Sequence, residues 1–210
     1  MRVKSSSTPA LHALVSMAAA TAAPAWADYV WIQPQGGQAE VRAGELARPL
    51  ARLPAWRQPQ STQATQAVSA HAEADRVRLS PAGRGDLRFT AVVPEGEGVL
   101  NHYQARFGRE ETTPVNDLEL VPTTPGGNTF KLVWKGKTVA ASQVNVQTSE
   151  GWSRVLRPDA DGSVTLATPF AGLYVLEVSA RVDGDGARFE DKRYADVRHT
   201  ATLSFEVARP

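Results

Sequence analysis

From Tyr174 onward the chain alternates: Tyr174, Leu176, Val178, Ala180 and Val182 fall on one side, Val175, Glu177, Ser179 and Arg181 on the other. A period of two is the pleat of a β-strand with one face buried. The same period recurs at His199, Ala201, Leu203, Phe205 and Val207, set against Thr200, Thr202, Ser204 and Glu206. Phe130, Leu132 and Trp134 define a third such run, Leu87, Phe89 and Ala91 a fourth, and Val77 with Leu79 a shorter one. No stretch carries a convincing helical stripe. Turn-forming clusters punctuate the runs: Pro125-Gly126-Gly127-Asn128, Lys135-Gly136-Lys137, Asp159-Ala160-Asp161-Gly162 and Asp183-Gly184-Asp185-Gly186. Short alternating runs with this punctuation predict an all-β chain built as antiparallel β-sandwich.

Two segments interrupt the pattern. Residues 54–76 are polar: Pro54 to Ala74 is rich in Gln, Ser, Thr and Ala and offers almost nothing to bury, which predicts a long loop or excursion. Asp117 to Val121 reads as a strand between prolines and threonines, and a boundary is expected near Pro122 to Gly127. The expected organisation is an N-terminal β domain over 28–124 and a β-sandwich over 125–210, with one continuous sandwich as the competing arrangement.

The first residues carry a different pattern. Arg2 and Lys4 precede a charge-free apolar stretch from Ala10 to Ala23, which closes on Ala25-Trp26-Ala27. A basic start, a short apolar run and a small-x-small site predict a signal peptide, 1–27, cleaved after Ala27. The run falls short of the ~20 apolar residues that span a bilayer, and no later segment approaches that length. The expected location is the periplasm, with no transmembrane segment in the mature chain. Of 23 basic residues the signal removes two, leaving 21 against 22 acidic ones. A near-neutral chain lacks the basic footprint of a nucleic-acid partner. With no cysteine there is neither a disulfide framework nor a thiolate metal site.

The order of features from Phe130 onward resembles the transthyretin-like or carboxypeptidase-regulatory type of β-sandwich. Trp134-Lys135-Gly136-Lys137 ends a strand, the small-residue run Val139 to Val146 follows, then the Asp159 to Gly162 turn and the Gly172-Leu173-Tyr174 strand start. Tyr29 to Pro34, Ala105 to Arg109, Leu118 to Pro122 and His199 to Phe205 extend the likeness. Together these are similar to a family of bacterial periplasmic proteins described as components of nickel or cobalt uptake systems. The resemblance implies a binding or accessory role, a nickel or cobalt ion as cargo or cofactor, and a membrane transport complex or other envelope protein as partner. Members of that family often open the mature chain with a histidine beside the aromatics; here Asp28 stands in that place.

Nickel and cobalt favour imidazole with some carboxylate. Once His12 leaves with the signal, the histidines are His71, His102 and His199, and no two are spaced to share a metal along one element. Any site must be assembled by the fold, with His102, His199, Asp196 and Asp28 as its candidates. The place of His199 on the face of Leu203 and Phe205 favours a hydrogen-bonded core histidine over a ligand. Asp196 lies just upstream as a carboxylate partner for its proton or for a shared ion. His71 falls in the polar stretch. Asp159 to Gly162 does not continue as a calcium loop, because Ser163 and Phe170 stand where ligands belong. Gly136-Lys137-Thr138 lacks the glycine of a phosphate loop at Lys131. No Gly-x-Ser-x-Gly elbow occurs either. These absences point away from an enzyme. Trp152 and Trp56, both in irregular stretches, are candidate platforms for a protein partner or a glycan; a residue capping the sandwich edge is the plainer account of each.

Overall fold

A computed structural model describes residues 28–209 except Glu97 and Ser142, with the backbone alone over 182–186. The expected signal peptide, 1–27, lies outside the described residues. Strands run β1 (Tyr29–Gln35), β2 (Gln38–Glu45), β3 (Arg48–Pro49), β4 (Arg57–Gln63), β5 (Gln66–Ala67) and β6 (Ser69–Ala72). They continue as β7 (Val77–Ser80), β8 (Leu87–Glu95), β9 (Val99–Phe107), β10 (Leu118–Pro122), β11 (Thr129–Trp134) and β12 (Lys137–Val139). The last are β13 (Val144–Thr148), β14 (Ser153–Leu156), β15 (Ser163–Thr165), β16 (Gly172–Phe189) and β17 (Lys192–Val207). There is no helix among the described residues, as the period-two pattern predicts.

A central sheet of eight strands runs in the order β14-β13-β16-β17-β9-β8-β4-β5. Its strands pair antiparallel except β17 with β9, which are parallel. Two smaller sheets cover opposite faces of it. On one face β1, β2 and β7 pack on β8 and β9, and Val30, Ile32, Val41, Leu79, Phe89 and Ala105 share a buried cluster. On the other, β10, β11 and β15 pack on β13, β16 and β17, joining Leu120, Phe130, Val146, Tyr174, Leu176 and Leu203. The faces follow from register. Leu203 pairs with Arg106 and so lies on the opposite side from Ala105, since neighbours along a strand alternate. Because the covers are offset, parts of each face of the central sheet stay bare.

Two expectations change. The polar stretch 54–76 is not a loop: β4, β5 and β6 form within it, although most of their side chains are exposed. Backbone pairing to β8 and β7 holds these strands, so they need no apolar stripe. Asp183 to Gly186 is not a turn. β16 continues through it with a register shift, and the chain reverses at Glu190 and Asp191, both at positive φ (45° and 63°). Strands from both sides of the expected boundary share the central sheet, and β10 buries Leu118 and Leu120 in the cluster of the C-terminal half. The Asp159 to Gly162 turn forms, with Asp161 Oδ1 accepting from the Ser163 N–H at 3.0 Å and the Gly162 N–H donating to Asp159 O at 2.9 Å, but it joins no hairpin: β14 before it pairs with β13 and β15 after it with β11.

Candidate functional site

The edge strand β10 lies over β8 and β9, and the face of the central sheet at and beyond this edge is polar. Register aligns its side chains into rungs: Thr62, Arg88 and Arg106; then Gln60, Thr90 and Gln104; then Val92, His102 and His199. A cleft of about 380 Å³ opens over them, lined by Gln60, Arg88, Thr90, His102, Gln104 and Asn116 among others. β4 bulges between Arg57 and Gln60, with Gln58 at φ 48°, which bends this strand beside the cleft.

A buried ion cluster forms one end. Arg88 donates from Nε to Glu119 Oε1 (3.0 Å) and from Nη1 to Glu111 Oε2 (2.6 Å). Arg106 donates from Nη1 to the same Glu119 oxygen (2.8 Å) and from Nε to Asp86 Oδ2 (3.0 Å). The remaining oxygen of Glu119 accepts the N–H groups of Val115 and Asn116, each at 2.8 Å, and so holds that segment over the cleft. Arg88 Nη2 lies in ion contact with Glu119 Oε1 at 3.0 Å, and the buried Asn116 Nδ2 has no hydrogen-bond partner among the described residues.

The histidine pair forms the other end. His102 and His199 are direct partners on β9 and β17, their rings stacked at 4.5 Å and 10°. Trp134 stands edge-on to His199 at 4.6 Å. Gln104 settles the tautomer of His199. Its Oε1 accepts the Leu118 N–H at 2.7 Å, so its amide nitrogen is the donor to His199 Nδ1 at 3.0 Å. Nδ1 therefore carries the lone pair and Nε2 the proton of a neutral ring. Burial, with His102 and Lys135 adding to it, lowers the His199 pKa to about 4. Burial also holds His102 below the ordinary histidine value, Asp117 opposing and Lys135 assisting.

Of the four residues expected at a metal centre, the fold unites only His102 and His199. Asp196 lies three residues from His199 and so on the opposite side of the strand, where it pairs with Arg181 (3.0 Å) and Arg198 (2.8 Å). Asp28 borders a separate hollow with Tyr103, Arg181 and Arg198 on that opposite face. No group of three or more His, Cys, Asp or Glu gathers to hold an ion among the described residues. With Nδ1 of His199 committed to Gln104, the pair does not fit a nickel or cobalt ion held by protein ligands alone. An ion that brings its own ligands needs only one free imidazole, and His102 has one.

The two tryptophans are half-buried. Trp56 packs against the N-terminal cluster with its ring 4.8 Å from Phe89, and Trp152 caps the C-terminal cluster, edge-on to Phe170 at 6.0 Å. Sequence reasoning missed Arg88, Gln104 and Asn116. The polar members of an alternating strand read as solvent-facing, and only the second cover shows otherwise. No helix among the described residues is long and apolar enough to cross a membrane. Comparison with known proteins finds no matching family model and no matching curated protein.

Proposed function

We propose that the protein is a non-catalytic solute-binding component of the bacterial envelope associated with transition-metal uptake, its cargo entering the polar cleft as a small carboxylate complex of nickel or cobalt. The observation that carries this reading is the polar cleft itself, which Arg88, Asn116 and His102 line together. Guanidinium and amide N–H groups match carboxylate oxygens. A neutral imidazole suits nickel and cobalt, and burial, which lowers the pKa of His102, favours its neutral form. The envelope location rests on the N-terminal pattern, and the metal on the family resemblance.

Isothermal titration with Ni²⁺, citrate and nickel citrate separates the alternatives. Nickel citrate should bind, and Asn116→Ala and His102→Ala should each weaken it tenfold or more. Binding of Ni²⁺ alone, lost in His199→Ala, would place the ion directly on the histidine pair. Failure of all three titrants to bind would remove the reading.

A second reading has its own observation. Val155 on the outer strand β14 and Phe170 beside Trp152 are among the few large apolar residues left exposed, at 46% and 44%. An edge strand flanked by apolar groups suits strand addition by a partner protein. A photo-crosslinker placed at Val155 should then capture one envelope protein in cells, and no adduct would dismiss it.

A further inference from the structure

The run after β4 changes sheets. β5 pairs with β4 and the Val68 N–H donates to Ser61 O at 2.9 Å, still in the central sheet; β6 then pairs with β7 in the N-terminal cover. The run bridges the gap between the two sheets at this edge. Its side chains leave the gap unfilled, because Ala70, Ala72 and Ala74 alternate on the inner side with Val68. Behind them lies a chamber of about 960 Å³ whose apolar wall is Leu53, Trp56, Val68, Val77 and Phe89. That volume is within the range of small-molecule sites, which are apolar with a few placed polar groups.

A polar feature gives the chamber a preference. At the border stand Arg52 and Glu73. Glu73 is already paired with Arg78 (2.5 Å) and Arg76 (3.6 Å), whereas Arg52 makes no ion pair with any described residue. The chamber therefore offers an apolar wall and, at its border, one uncommitted cation.

We propose that this chamber binds a single-chain amphiphile with an anionic head, the chain lying along Trp56 and Phe89 and the head at Arg52. The ligand is a free long-chain carboxylate rather than a bilayer lipid. This site is distinct from the polar cleft and does not depend on the reading given to it, although Gln60 and Thr62 of β4 border both.

Tryptophan emission of the purified protein, titrated with laurate below its micelle concentration, tests the proposal. Dodecanol, dodecyltrimethylammonium and phosphatidylglycerol vesicles serve as comparison arms. Laurate should bind in a saturable manner and at least tenfold more tightly than dodecyltrimethylammonium. Arg52→Ala should remove that preference while leaving dodecanol binding in place. Ala72→Phe, on an exposed strand that tolerates substitution, should fill the chamber and abolish binding. Trp56→Phe should abolish the emission change, and competition with a fluorescent fatty acid reads affinity in that variant independently. No saturable response to laurate, equal affinity for the cation, tighter binding to vesicles, or unchanged binding in Ala72→Phe would each overturn the proposal.

Discussion

His199 shows how one side chain ties the site to stability. Its ring is neutral in the fold, with a pKa of about 4, against about 6.5 in an unfolded chain. As pH falls the unfolded chain takes up this proton first. The contribution of His199 is therefore intact above about pH 6.5, declines through the interval down to about 4, and is then lost. The difference is on the order of 3 kcal/mol. Urea unfolding at pH 7 and pH 4.5 should show a smaller loss in His199→Gln than in the unaltered protein; equal losses would mean that the ring titrates normally. Gly108 is another position where a single residue decides geometry. Its φ is +107°, and an added Cβ would collide with Asp86, the carboxylate that holds Arg106. Gly108→Ala should cost about 2–4 kcal/mol by chemical denaturation. A loss under about 1 kcal/mol would show that Asp86 can give way.

Between elements, the ion cluster joins β8 and β9 to β10. Arg88, Arg106 and Glu119 are 1%, 0% and 2% exposed, so loss of one partner strands buried charge. Glu119→Ala should destabilise by about 3–5 kcal/mol, a fall on the order of 10 °C in Tm for a chain of this size. It should also release the segment of Val115 and Asn116 and so weaken binding in the cleft. By contrast, Glu73→Ala breaks a half-exposed pair between the β6–β7 connection and Arg78 of β7 and should cost under about 1 kcal/mol. Similar Tm values for the two variants would mean that the buried cluster carries no more than a surface pair. The cluster also shows why alternation misleads here. In Leu87 to Ala91, Arg88 and Thr90 occupy the places that solvent normally takes, yet a second sheet edge covers Arg88 and leaves it as buried as its apolar neighbours.

At the scale of the whole molecule, the central sheet binds the two halves into one hydrogen-bonded unit. β9 from the N-terminal half pairs with β17 along nine residues, Val99 to Phe107. Thr202 and Ser204 of β17 reach the carbonyls of Val30 and Ile32 in β1 at 2.6 and 2.5 Å. Separating the halves would bare a long strand edge and unpair buried hydroxyls. Calorimetry should therefore give one transition, with equal calorimetric and van't Hoff enthalpies. Two resolved transitions would show that the halves unfold independently across the β9–β17 pairing.

The sequence alone determined the all-β class and the positions of β7, β8, β10, β11, β16 and β17, because a buried face must repeat every second residue. It also located the Asp159 to Gly162 turn, whose geometry is held by local hydrogen bonds. What it left undetermined depends on partners distant in the chain. β4 to β6 form by backbone pairing, which leaves no mark on side-chain pattern. The offset of the two covers decides that Arg88 and Gln104 are buried while their rung mates Thr62 and Gln60 border open clefts. His102 and His199, 97 positions apart by their numbers, become neighbours only through the parallel register of β9 and β17. Asp196 is excluded from that pair by strand parity, a fact readable in the sequence once the strand's facing is known. Local pattern records which residues prefer burial, and only the stacking of sheets decides which polar residues are buried with them.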